Sequence, residues 1–178
     1  MIVGYDYVAL VGAFVTAAAV TDYRTRKIPN WLTVPAAIVA LVYHSFAPGG
    51  FGPLMALAGF GVGFVLLLLP WLLGGGGMGD VKLLAALGAW LGPQYILAAF
   101  ALGVGFAAVM AGTLMMTSLA NNGVGVTQRK YLAAGIGGSN VSGDGTAKKP
   151  KRFLPFVVPV AMGTWLVLAW MLLRNQGL

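Results

Sequence analysis

The sequence predicts an all-α, polytopic membrane protein of six transmembrane helices, and three observations predict it. First, 59% of the 178 residues are hydrophobic and only 8% are charged, against roughly 25% charged in soluble domains. Polar side chains are too few to cover a globular surface. Second, the apolar residues come in long runs without a helical or strand alternation, the pattern of helices that are apolar all round. Third, these runs are near the roughly 20 residues that cross a bilayer, and they break at charged or Gly- and Pro-rich segments.

The first span is expected from about Tyr5 to Thr21, ending at Asp22-Tyr-Arg-Thr-Arg-Lys-Ile-Pro-Asn30. The second runs from Trp31 to about Ala47 and stops at Pro48-Gly49-Gly50. The third extends from about Pro53 to Leu73, followed by Gly74-Gly-Gly-Gly-Met-Gly-Asp80-Val-Lys82. Leu83–Leu91 makes a short fourth, closed by Gly92-Pro93. Tyr95 to about Leu119 is the fifth and Phe153–Leu173 the sixth. Between the last two, residues 120–152 are polar, Gly-rich and basic, and are expected to be a flexible cytoplasmic loop within a single domain, 1–178.

Charge chooses six spans over five. With both termini outside, ten of the eleven Lys and Arg residues fall in inner loops and only Arg174 lies outside, as the positive-inside rule requires. Five spans would put residues 129–152 and Arg24–Lys27 on opposite sides. The beginning of the sequence has no basic n-region and no small-residue cleavage site before Asp22, so the first span is expected to stay as an uncleaved anchor.

The net charge of +7 is therefore assigned to membrane orientation and lipid rather than to nucleic acid. Cysteine is absent, which excludes disulfides, iron–sulfur clusters and thiolate zinc sites. There is no glutamate, so carboxylate chemistry must come from Asp6, Asp22, Asp80 and Asp144. The six-span topology places Asp22 and Asp80 at one depth on the inner side. Asp6 falls near the outer face and Asp144 in the loop. His44, near the outer end of the second span, is expected to be an interfacial residue, and the tryptophans belt and packing residues.

Acids at membrane depth are costly and mark function by default. Two carboxylates drawn into one partly desolvated site share a proton. Such a pair can deprotonate a water while its protonated member polarises a peptide carbonyl. Each acid taken singly also fits a solvated helix end meeting Arg24, Arg26, Lys27 or Lys82. The glycines before Asp80 shift the balance, since a segment without side chains lets a substrate backbone approach its carboxyl. They also suit tight helix packing. A phosphate-binding loop does not fit, because no G-x-x-x-x-G-K-[ST] occurs and Asp80 would repel an anion. No metal and no cofactor is expected, since two carboxylates without a nearby His or Glu make a poor metal site.

Asp22 followed by Ile28-Pro29-Asn30, with Gly77-Met-Gly-Asp80-Val-Lys-Leu83 further on, resembles the paired signature of type IV prepilin peptidases, the G-x-G-D intramembrane aspartic proteases. Pro155-Phe156 to Gly163 is similar to that family's final helix. The resemblance implies that Asp22 and Asp80 are the catalytic aspartates, acting on the cytoplasmic face of the bacterial inner membrane. The implied partner is a pilin precursor, cut between a short basic leader and its hydrophobic helix. Larger members carry paired Cys-x-x-Cys motifs and methylate the new N-terminus. A chain without cysteine resembles instead the compact Flp/Tad pilus form, and no methyltransferase activity is expected. Archaeal preflagellin peptidases are similarly compact.

Around the acids, Gly77 and Gly79 are expected to shape the site. Pro29 suits the first turn of the second helix, and Asn30 either caps that helix or bonds a backbone group beside the site. Lys82 either biases the carboxyl pair, holds substrate or snorkels to the headgroups. A homo-oligomer is compatible with all of this. The competing functions are an ion- or proton-coupled transporter component using Asp22 and Asp80, and a non-catalytic scaffold.

Overall fold

The computed structural model describes residues 4–25, 27–47, 49–73, 77–135 and 157–175, with the side chains of 118–119 and 121–135 left aside. Among the described residues it holds five α-helices: α1 (Tyr5–Thr25), α2 (Asn30–Phe46), α3 (Pro53–Leu72), α4 (Met78–Gly135) and α5 (Val157–Asn175). α3, residues Met78–Thr117 of α4, and α5 are long and apolar enough to cross a membrane, and α2 is a shorter apolar helix. Large apolar side chains such as Ile38, Val42, Leu57, Val65 and Leu69 face outward. That surface suits hydrocarbon, not water.

Five helices stand where six were expected, because the fourth and fifth expected spans belong to one helical run. Met78–Thr117 comprises 40 residues, about 60 Å if straight, or twice the hydrocarbon core. It is not straight. Gly92 has φ +78°, a left-handed value that a right-handed helix cannot carry through without turning its axis. Pro93 follows, suited to begin a new helical arm because that position needs no N–H donor.

Packing on either side of Gly92 shows how far the chain turns. On the first arm, Gly88 and Gly92 lie against Gly59 of α3, and Leu84 and Ala85 against Gly63, so α3 and this arm run antiparallel. At the top of the arm, Tyr7 of α1 hydrogen-bonds the Trp90 carbonyl. On the second arm, the Tyr95 ring packs at a tilt beside Trp170, and Gly103 lies against Val160. The α5 residue between those two, Trp165, meets Gly12 and Thr16 of α1. Moving from Tyr95 to Gly103 therefore descends beside α1, away from the Tyr7 end. The two arms fold back on each other at Gly92.

The turn explains a buried knot around His44, which stands alone in the sequence. The left-handed Gly92, followed by a proline without an N–H, ends the first arm, so its last carbonyls need other donors. The Trp90 carbonyl accepts from the Tyr7 hydroxyl and from His44 Nε2, the latter at 3.0 Å. A carbonyl only accepts, so the His44 proton is on Nε2. The His44 ring also stacks on Phe51, centroids 3.7 Å apart. His44 and Trp90 are both buried: His44, expected as a lone interfacial residue, has partners on other elements, and Trp90 is a packing residue.

Of the loop expected over residues 120–152, residues 120–135 are helical instead. Backbone helix continues through Gly135, beyond the boundary expected near Leu119. An apolar run ends where the bilayer does, whereas a helix satisfies its own hydrogen bonds and can project past it. Residues 136–152, with Asp144 and the basic cluster at Lys148–Arg152, lie outside the described residues, as do Arg26, Gly74–Gly76 and Pro155-Phe156.

Candidate active site

Of the four acidic residues in the chain, Asp22 and Asp80 are buried, each only 7% exposed, while Asp6 is exposed. Burial of a carboxyl carries a desolvation cost that a solvated helix end does not. These two side chains are therefore not surface acids.

Asp22 lies near the end of α1, about four turns beyond Tyr7, and Asp80 in the first turn of α4, about three turns before Trp90. Since Tyr7 and Trp90 are bonded to each other, both acids sit at the opposite end of the bundle from that knot. The short connection from α1 to α2 closes the gap between their helices. A Cβ added to Gly79 would stand 3.3 Å from the Cβ of Ile28, and Lys82 Nζ donates to Asn30 Oδ1 at 3.0 Å. The residues flanking Asp80 thus touch the segment that follows Asp22.

Locally, Asp80 is held by its own loop. The Gly77 amide donates to Asp80 Oδ2 at 3.3 Å, and the Asp80 and Val81 amides bond back to the Gly77 carbonyl. An acid in the first helical turn is also favoured by the helix dipole. Pro29 precedes α2 with an extended backbone (φ −74°, ψ 143°), and its carbonyl accepts from the Leu32 and Thr33 amides. The Asn30 side chain makes no cap there; its amide oxygen is engaged by Lys82 instead. The exposed Arg24 and Lys27 follow Asp22 in the chain.

The expected residues Asp22, Pro29, Asn30, Gly77, Gly79, Asp80 and Lys82 therefore gather at one end of the bundle. Ile28, which seats on Gly79, was quoted in the motif but given no role of its own. Its signal was adjacency to Pro29-Asn30, and its partner was not visible. Among the described residues no three His, Cys, Asp or Glu side chains form a group that could hold a metal ion. A cavity of about 460 Å³ between the second arm of α4 and α5 is lined by Tyr95, Leu102, Leu166 and Trp170. It contains no carboxylate and lies beside the turn at Gly92.

The segment holding all seven residues is also the segment that known proteins share. The model of the type IV leader peptidase family matches residues 9–120. The chain belongs to the type IV leader peptidase family. It is 39% identical over 109 residues to an Escherichia coli prepilin leader peptidase/N-methyltransferase, covering 54% of this chain and 47% of the relative. A Neisseria gonorrhoeae protein of the same name is 36% identical over 101 residues, covering 50% and 35%. The preflagellin peptidase of Methanococcus voltae is 33% identical over 92 residues, covering 49% and 38%. The chain thus spans less than half the length of these curated relatives. No solved structure matches it. The family inferred from the paired motifs is the family that the comparison returns.

Proposed function

We propose that this leader peptidase family member is an aspartic endopeptidase of the inner membrane, in which Asp22 and Asp80 activate water to remove the basic leader of a type IV, Flp-like pilin precursor. The observation that carries the proposal is the burial of these two acids, while Asp6 is exposed, at one end of a bundle whose α1–α2 connection rests on the first turn of α4. In this reading the folded-back α4 supplies two crossings, giving six in all with both termini outside.

The chemistry follows from one proton shared by two carboxyls. The anionic member takes a proton from water as the water oxygen attacks the scissile carbonyl, while the protonated member donates a hydrogen bond to that carbonyl oxygen. Collapse of the tetrahedral adduct breaks the C–N bond, and a carboxyl proton passes to the leaving amine. The leader keeps the new carboxylate and the pilin helix the new N-terminus. The chain has no cysteine, and in this reading the new N-terminus is left unmethylated.

Co-expression with candidate precursors in a host lacking its own peptidase tests this. A leader-sized shift is expected, undiminished by a chelator, with an unmethylated N-terminus by mass. Failure to cut any leader-bearing precursor, or loss of cutting on chelation, overturns the proposal. The similarity to a preflagellin peptidase makes a preflagellin precursor the second substrate to include. Ion flux through reconstituted vesicles that disappears in Asp80→Asn would favour the transporter instead.

A further inference from the structure

We infer that Asn30 and Lys82 are positioning residues: with Ile28 on Gly79 they form a two-point clasp that fixes Asp22 relative to Asp80. The inference rests on the peptidase reading above and assigns the site a component that does not touch substrate.

Three observations carry it. The clasp joins segments far apart in sequence through a seat at Ile28–Gly79 and a hydrogen bond at Asn30–Lys82. On the α1 side little slack exists. α1 ends at Thr25 and α2 starts at Asn30, and the Thr25 hydroxyl lies 2.8 Å from the Thr21 carbonyl and 3.0 Å from the Lys27 carbonyl. Holding Ile28 and Asn30 therefore holds the last turn of α1, which bears Asp22. On the α4 side, side chains two apart do not face each other on a helix, so Lys82 projects away from the Asp80 carboxyl. Its ammonium is committed to the Asn30 amide oxygen. Lys82 thus acts on the pair through Asn30 and not by contact with the Asp80 carboxyl.

Gly79 makes the seat possible. A side chain there that is not bonded to residue 28 would press on Ile28 and lift the connection from α4. Errors of about 1 Å in the placement of a reacting group can cost on the order of 100-fold in rate, so loosening this clasp should slow the chemical step while substrate affinity stays as it was.

The test combines kinetics with a crosslink that does not need activity. Asn30→Ala and Lys82→Met are each expected to lower kcat about tenfold with little change in KM, and the double variant to be no slower than either single. Lys82→Arg and Asn30→Asp, which keep donor and acceptor, are expected to restore cutting. Because the chain has no cysteine, Ile28→Cys with Gly79→Cys gives a clean probe. Their Cβ separation of 3.3 Å is near the disulfide range of about 3.5–4.5 Å. Oxidation is expected to join them rapidly, and about tenfold more slowly once Asn30→Ala is added. Rate losses that multiply in the double variant, a rise in KM with kcat unchanged, or a crosslink indifferent to Asn30→Ala would each overturn the clasp. If the wild-type protein cuts no precursor, the peptidase reading fails, and the crosslink still decides the clasp by itself.

Discussion

Replacing Asp22 or Asp80 by Asn is expected to abolish precursor processing, with a fall in rate of about 1,000-fold or more, while the protein accumulates normally. Asn keeps the shape of the side chain and so disturbs the packing little. It cannot take a proton from water or pass one to the leaving amine. Both steps need the same pair, so each single variant should be nearly as inactive as the double, as is usual for groups that act as a unit. Accumulation should not suffer, because an uncharged amide is less costly to bury than a carboxylate. Timed co-expression with a tagged precursor, normalised to peptidase abundance, reads both quantities. Processing at the normal rate by either variant would remove that residue from the chemistry.

The second large effect concerns three glycines of α3 and separates packing from composition. A Cβ on Gly59 would collide with the Gly88 carbonyl and come within 2.7 Å of the Gly92 Cα, and one on Gly63 would collide with the Leu84 carbonyl. These are backbone atoms, which cannot rotate aside. Between them, Gly61 has nothing within 4 Å of its added Cβ. Gly59→Ala and Gly63→Ala should therefore destabilise by about 3 kcal/mol, the upper end for overpacking, because α3 must retreat from the first arm of α4. Gly61→Ala should be neutral or stabilising by about 0.5–1 kcal/mol, since Ala favours helix more than Gly does. Thermal melts in detergent distinguish the two groups, and equal behaviour of all three would contradict the backbone-to-backbone packing.

Much of this architecture was legible because a bilayer imposes strong constraints. The break from Asp22 to Asn30 was readable as a charged interruption closed by Pro29, and α2 begins at Asn30. Scarcity of acids pointed to Asp22 and Asp80 before any geometry was known, and among the described residues those are the buried acids. The readable features share one property: each depends on neighbours in the chain. The features that were missed depend on distant ones. Gly92-Pro93 announced a stop, but the sequence did not show that one left-handed residue would join two arms within one helical run. His44 looks solitary in sequence because its partner is a backbone carbonyl that the turn leaves available on another helix. Ile28 gains its importance from the bare surface of Gly79, and Asn30 from a lysine brought in by α4 rather than from capping its own helix. The fifth span was placed to about Leu119, and the helix runs on to Gly135, because apolar length measures the membrane and not the helix.

Everything rests on two carboxyls that the fold brings to one end of the bundle, and a crosslink between their positions tests it most directly. In this cysteine-free chain, Asp22→Cys with Asp80→Cys should be joined within one molecule by a short bifunctional thiol reagent, from the cytoplasmic side of sealed vesicles. Asp6→Cys with Asp80→Cys should not. Absence of the first crosslink, or labelling of the two cysteines from opposite faces of the membrane, would contradict the account.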